Sequence, residues 1–136
     1  MDEELEKKIV SAFVSRRIRK RMLFELFSKR RRHAISRLDD RYLETLCSEF
    51  MIEIPRPNSD PEEIEKILRN HGAGDWCYSI SWDEDIDGKV LPLGTALSIA
   101  VGCGFSSIVS CIPGKLAYFE SEQCFGPPPR YLLKRA

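Results

Sequence analysis

Apolar residues in the first part of the chain recur at the spacing of an amphipathic helix. Intervals of three and four positions place them on one helix face, and they are Leu5, Ile9, Val10, Phe13, Val14, Ile18, Met22, Leu26 and Phe27. This pattern predicts one long helix, either continuous or broken near Ser15. Ser28 can cap a new helix, and helical spacing continues through Ile35, Leu38, Tyr42 and Leu46. Residues 1–48 are therefore predicted to form a helical pair or one kinked helix.

Prolines then interrupt the regular pattern. Because Pro55 and Pro57 cannot donate backbone hydrogen bonds, residues 51–54 are expected to form at most a short strand before a linker. A further helix is predicted over residues 60–71. Its start carries three signals: a capping aspartate, a proline at the first helical position and a glutamate that completes a capping box, which are Asp60, Pro61 and Glu63.

Beyond Gly74 the pattern alternates as in a strand, with Trp76, Tyr78, Ile80 and Trp82 on one side. We expect most of these side chains to form core against the helices. A helix opened by Pro92 is predicted over residues 92–102. Residues 107–112 and 115–120 flank Pro113-Gly114, which suits a type II turn and predicts a hairpin. Residues 131–133 are predicted to form a final strand.

This order of elements predicts one α+β domain over residues 1–136. We expect a helical N-terminal segment, residues 1–48, followed by a mixed or antiparallel sheet of about four strands in residues 49–136, covered by helices on one face. The segment 75–112 is long enough for a right-handed parallel crossover. The length of 136 residues, with 43% hydrophobic and 31% charged residues, is typical of a globular protein rather than a disordered one.

Charge is segregated along the chain. Although the formal net charge is zero, residues 16–37 hold ten basic residues and one acidic residue, and the remainder therefore carries a net charge of −9. Basic runs of this kind bind phosphates in some proteins, and in others they form a solvated or internally paired helix face. The candidate partner-binding residues are Arg16, Arg17, Lys20, Lys29, Arg30, Arg31, Arg32, Arg37 and Trp82, the last as an exposed aromatic anchor.

Two short motifs resemble ligand sites and fail on spacing. Asp83–Gly88 matches the opening of a calcium loop, but Gly94 stands where a bidentate glutamate is required. Gly102-Cys103-Gly104 follows a predicted helix, whereas phosphate-binding loops precede one. We therefore expect no metal and no cofactor.

The five cysteines include no C-x-x-C pair and are interpreted as free thiols in a reducing compartment. Cys111 is a candidate thiol nucleophile if His71 or His33 lies beside it. The acidic N-terminus does not resemble a secretory signal, and the apolar window 96–105 is too short to span a membrane. The sequence therefore predicts a cytoplasmic protein that does not contact membranes.

With no recognisable catalytic constellation, the first hypothesis is a non-enzymatic protein that binds another protein, as a regulator, adaptor or immunity-type protein does. The alternative is a nucleic-acid-binding protein that uses residues 16–37. A thiol enzyme centred on Cys111 is a third hypothesis.

Overall fold

The computed structural model describes residues 1–39, 41–56, 59–122 and 128–135. Pro57, in the predicted linker, lies outside these residues. The α-helices in chain order are α1 (Glu3–Phe13), α2 (Arg19–Leu26), α3 (Arg31–Ser36), α4 (Tyr42–Thr45), α5 (Pro61–Asn70) and α6 (Leu93–Ala100). Two short 3₁₀ helices, Arg16–Ile18 and Ser48–Phe50, precede α2 and the first strand.

The predicted break near Ser15 is present, and the N-terminal region consists of four short helices rather than a pair. Val14 leaves helical geometry and forms an antiparallel bridge with Leu46. Beside it, Ser15 N donates to the carbonyl of Thr45 at 2.7 Å. This long-range pairing sets the end of α1. Ser28 Oγ accepts a hydrogen bond from Arg30 N at 3.1 Å, just before α3 begins.

Six antiparallel strands form one sheet in the order β1-β6-β5-β4-β2-β3. The strands are β1 (Met51–Glu53), β2 (Trp76–Ser81), β3 (Val90–Pro92), β4 (Ser107–Ile112), β5 (Leu116–Glu120) and β6 (Arg130–Lys134). The prediction of about four strands was too low, and β3 was missed. A parallel crossover through residues 75–112 is wrong, because β2 and β4 are antiparallel neighbours.

Helices cover both faces of the sheet, so the expectation of one covered face was wrong. On one face, α1, α2 and α3 pack against Tyr78, Ile80 and Phe119. On the other, α5 and α6 pack against Val109, Tyr118 and other residues of the same strands. Consecutive strand residues point to opposite faces, which explains why β5 is buried along its whole length.

The stripe Trp76, Tyr78, Ile80 and Trp82 is core only in its middle. Tyr78 and Ile80 are buried, whereas Trp76 is 61% exposed. Trp76 lies at the start of β2 and pairs with Pro92 of the edge strand β3, beyond the cover of the helices. The structure thus places Trp76 outside the predicted core.

Locally encoded elements follow the predictions closely. Asp60 caps α5 and accepts a hydrogen bond from Glu62 N at 3.0 Å. The predicted capping box is not formed, because Glu63 instead contacts Lys66.

None of the helices in the described parts of the chain has the length and apolarity needed to cross a membrane.

The Pro113-Gly114 hairpin gives a direct test of turn geometry. Lys115 N donates to the carbonyl of Ile112 at 2.9 Å, and Gly114 has φ +74°. We expect Gly114→Val to lower the free energy of unfolding by roughly 1–2 kcal/mol, because a β-branched residue is strained in the left-handed region. Urea denaturation followed by circular dichroism measures this. Gly74→Val is the matched control, since Gly74 has no positive φ and open space around it; equal losses for the two variants would contradict the prediction.

Candidate binding surface

The basic segment Arg16–Arg37 divides into residues paired inside the fold and residues open to solvent. Arg31 is the most deeply paired, with 8% of its surface exposed. Its guanidinium donates to Glu6 on α1 at 2.7 Å and to Asp87 at 2.8 Å. Burial acts to lower the pKa of Arg31, but the hydrogen bonds with these two carboxylates outweigh it and raise the pKa. Arg31 therefore connects α1 and α3 with the acidic loop, Asp83–Gly88, and its charge is neutralised inside the fold.

Other arginines of this segment pair closer to the surface. Arg37 donates to Glu25 at 2.9 Å, and Arg30 lies 3.9 Å from the same carboxylate. The hydrogen bond from Arg37 lowers the pKa of Glu25 and outweighs burial, which acts to raise it. These pairs direct Arg30 and Arg37, which belong to the predicted binding surface, toward a carboxylate of α2.

Trp82 is half-buried rather than freely exposed. The Arg32 guanidinium lies 3.8 Å from its ring centroid in a cation–π contact. Arg32 also donates to Glu84 at 3.1 Å and to the Trp82 carbonyl. Trp82, the predicted aromatic anchor, and Arg32, one of the predicted basic residues, thus pack against each other.

The remaining basic residues leave an open face on α2 and the 3₁₀ turn before it. We define the α2 face as Arg17, Lys20, Arg21 and Phe24. All four are exposed, and Phe24 is 69% exposed. Their spacing of three or four positions brings them together on one side of the helix. Within the described residues, no carboxylate pairs with the three cations of this face, nor with Arg16 or Lys29, which are also exposed.

A cleft of about 600 Å³ lies where the chain passes from α1 to α2. Its cationic lining residues are Arg16, Arg19 and Arg135, the last near the end of the described chain. Glu44, on α4, and Glu49, in the 3₁₀ helix before β1, line it as well. Only Arg16 of these was a predicted site residue. The cleft combines residues that lie far apart in sequence, so their spacing gave no signal.

The acidic loop serves the fold. Asp87 Oδ1 accepts a hydrogen bond from Ser81 N at 3.0 Å in addition to the Arg31 contact, and Asp83 Oδ1 accepts one from Asp85 N at 2.9 Å. These carboxylate oxygens therefore already hold partners. Across the portion of the chain that the structure describes, no cluster of histidine, cysteine, aspartate and glutamate is placed to hold a metal ion.

Among the described residues, neither histidine forms a hydrogen bond with Cys111, whose Sγ lies 3.7 Å from the Val109 carbonyl. Lys134 Nζ lies 2.9 Å from His71 Nδ1, and His33 Nε2 lies 3.7 Å from Glu25. Burial raises the pKa of the Cys111 thiol to about 12. A thiol in this state is protonated at neutral pH, whereas the thiolate is the nucleophile.

The α2 face contains two residues, Arg21 and Phe24, that were not among the predicted site residues. A sequence signal existed for Phe24, because it lies outside the apolar stripe through Met22 and Leu26. An aromatic residue on the polar side of a basic helix indicates a contact surface.

Comparison with known proteins gives no match to any family model, any curated protein or any solved structure.

Proposed function

We propose that this chain is a non-enzymatic cytoplasmic protein that acts by binding another protein through the α2 face. The observation that carries the proposal is Phe24, 69% exposed and flanked by the cations Arg17, Lys20 and Arg21. A large aromatic side chain in water is typical of interface anchors. Unpaired cations around it favour a partner with an acidic surface, because complementary charge raises the association rate.

A protein partner fits this surface better than nucleic acid. Arg30, Arg31, Arg32 and Arg37 already pair with carboxylates, so the basic segment does not offer a continuous track of free cations. Phosphate contacts dominate nucleic-acid binding and need such a track.

Charge reversal of the α2 face tests the proposal. The variant Arg17→Glu/Lys20→Glu/Arg21→Glu and the variant Phe24→Ala are compared with the native chain as affinity baits in nuclease-treated extract of cells that produce it. We expect proteins retained by the native chain to be depleted at least about tenfold with either variant, which corresponds to about 1.4 kcal/mol. Quantitative mass spectrometry of the retained proteins measures the depletion.

The matched control is Lys66→Glu/Lys89→Glu/Lys115→Glu, which makes the same charge change at exposed lysines on other surfaces. It should retain the same proteins as the native chain. A duplex DNA of defined sequence, titrated by fluorescence anisotropy, tests the other class of partner. Retention that is insensitive to the α2 variants, or DNA binding that they abolish with no protein retained, would overturn the proposal.

A further inference from the structure

The cleft between the α1–α2 connection and the segment before β1 has walls fixed by backbone hydrogen bonds. Ser15 N donates to the Thr45 carbonyl and Cys47 N donates to the Phe13 carbonyl, both at 2.7 Å. Between them lies the Val14–Leu46 bridge. The volume of the cleft, about 600 Å³, falls in the range of small-molecule sites, about 300–1,000 Å³. The cleft is therefore preformed and large enough for an organic ligand.

Two of its three arginines are oriented by contacts that leave donors free. Arg19 Nη2 donates to the Val14 carbonyl at 3.2 Å, and its buried Nε–H has no acceptor among the described residues. Arg135 Nη1 donates to the Ala12 carbonyl at 3.2 Å, and its guanidinium lies 4.3 Å from the Phe50 ring centroid. A guanidinium carries five N–H donors, so each retains capacity for a ligand.

Charge in the cleft favours an oxyanion. Within the described ranges, no ion pair connects Arg16, Arg19 or Arg135 to a carboxylate. Arginine forks match the geometry of phosphate oxygens and bind them in a bidentate manner. Three such groups from two chain segments, the entry into α2 and the end of the described chain, line one cleft and provide the charge for a phosphate monoester.

The same cleft also presents acceptors. Glu44 and Glu49 line it together with Ser15 and Ser48. These carboxylates repel a bare anion but accept hydrogen bonds from amino and hydroxyl groups. The ligand that satisfies both sets of residues is dipolar, with a phosphate at one end and N–H or O–H donors at the other.

We propose that this cleft binds a small phosphorylated molecule of nucleotide size, with its phosphate on Arg16, Arg19 and Arg135 and its amino or hydroxyl groups toward Glu44 and Glu49. The site does not depend on the proposed function of the α2 face. It adds a ligand that no part of that function requires.

Isothermal titration calorimetry with AMP, ribose 5-phosphate and inorganic phosphate tests the site. We expect AMP to bind with one-to-one stoichiometry and inorganic phosphate to bind more weakly. Arg19→Gln and Arg135→Gln should each weaken AMP binding by roughly tenfold or more, because each removes charge-assisted hydrogen bonds. Arg69→Gln is the matched control, as an arginine on α5 that pairs with Glu65 and Asp75 away from the cleft; it should leave the affinity unchanged.

A second variant tests the acidic wall. Glu44→Gln/Glu49→Gln should raise the affinity for inorganic phosphate and reduce the preference for AMP. No binding of any of the three compounds at millimolar concentration, or AMP binding that Arg19→Gln and Arg135→Gln leave unchanged in folded protein, would overturn the site. Equal affinity of the native chain for AMP and inorganic phosphate would overturn the role of the glutamates.

Failure of this site is distinguishable from failure of the proposed function. Phe24→Ala is expected to abolish protein retention and leave AMP binding intact, since Phe24 does not line the cleft. Arg135→Gln is expected to do the reverse. Loss of both activities in both variants, with folding intact by circular dichroism, would contradict two separate sites.

Discussion

Replacing Arg31 with methionine is expected to lower the free energy of unfolding by about 3–5 kcal/mol. Arg31 lies between two carboxylates, Glu6 and Asp87, whose side chains are 0% and 11% exposed. Methionine fills similar space but leaves both charges without their cation. An uncompensated buried charge is strongly unfavourable. Urea denaturation at pH 7, followed by circular dichroism, measures the loss.

Arg69→Met provides the matched control. Arg69 also contacts two carboxylates, Glu65 and Asp75, but on the surface. Exposed ion pairs contribute little, so this variant should unfold close to the native midpoint. A loss for Arg31→Met no larger than that for Arg69→Met would contradict the role of the buried pairs.

The triple variant Glu6→Gln/Arg31→Met/Asp87→Asn separates the lost charge from the lost packing. Removing all three charges should restore part of the stability, because replacement of a complete buried ionic group is far better tolerated than removal of one partner. Tyr78 Oη donates to Glu6 at 2.5 Å, and a glutamine at position 6 retains an acceptor for it. No recovery in the triple variant would indicate that the packing of Arg31, rather than its charge, stabilises the fold.

Elements that depend on neighbouring residues were predictable from the sequence. The start of α5 is set by Asp60 and Pro61, and the hairpin turn by Pro113 and Gly114. Each requires only the conformational preferences of two adjacent residues. The antiparallel hairpin strands β4 and β5 follow from that turn. These parts of the α+β prediction are confirmed for this physical reason.

Features that depend on distant partners were not predictable. Strand β3 has three residues and exists as a strand through its pairing with β2. Ser79 and Ser81 suggest a solvent-facing side of β2, yet both are fully buried. Ser81 Oγ lies 2.7 Å from Ser107 Oγ on the neighbouring strand, so a cross-strand partner satisfies its hydroxyl. Because small polar residues line this second buried face, the alternation in the sequence gave no sign of the second helical layer.

The candidate site shows the same limit at single-residue scale. Arg31 and Arg32 are adjacent and chemically identical, but one is buried and the other exposed. Successive residues on a helix point about 100° apart, and the partners of Arg31 lie 25 and 56 residues away. Sequence spacing identified the basic segment, whereas the division into internal and open cations depends on the tertiary structure.

Arg130→Met is expected to lower the free energy of unfolding at pH 7 by about 3 kcal/mol, near the lower end for breaking a buried pair. Arg130 Nε donates to Glu120 at 2.9 Å, and their side chains are 5% and 0% exposed. Glu120 keeps two other donors, Tyr118 Oη at 2.6 Å and Gly102 N at 2.8 Å, which is why this loss is smaller than that for Arg31. Tyr118 is itself buried, and burial raises its pKa, so its hydroxyl remains a donor at neutral pH.

A double variant distinguishes a lost counter-ion from lost packing. Glu120→Gln/Arg130→Met removes both charges of the buried pair, and the glutamine amide oxygen can still accept from Tyr118 Oη or Gly102 N. We expect it to recover part of the stability that Arg130→Met loses, because replacing both members of a buried ion pair is better tolerated than removing one of them. Urea midpoints at pH 7 for the native chain and the two variants measure the recovery. A double variant no more stable than Arg130→Met would show that Arg130 acts through packing alone.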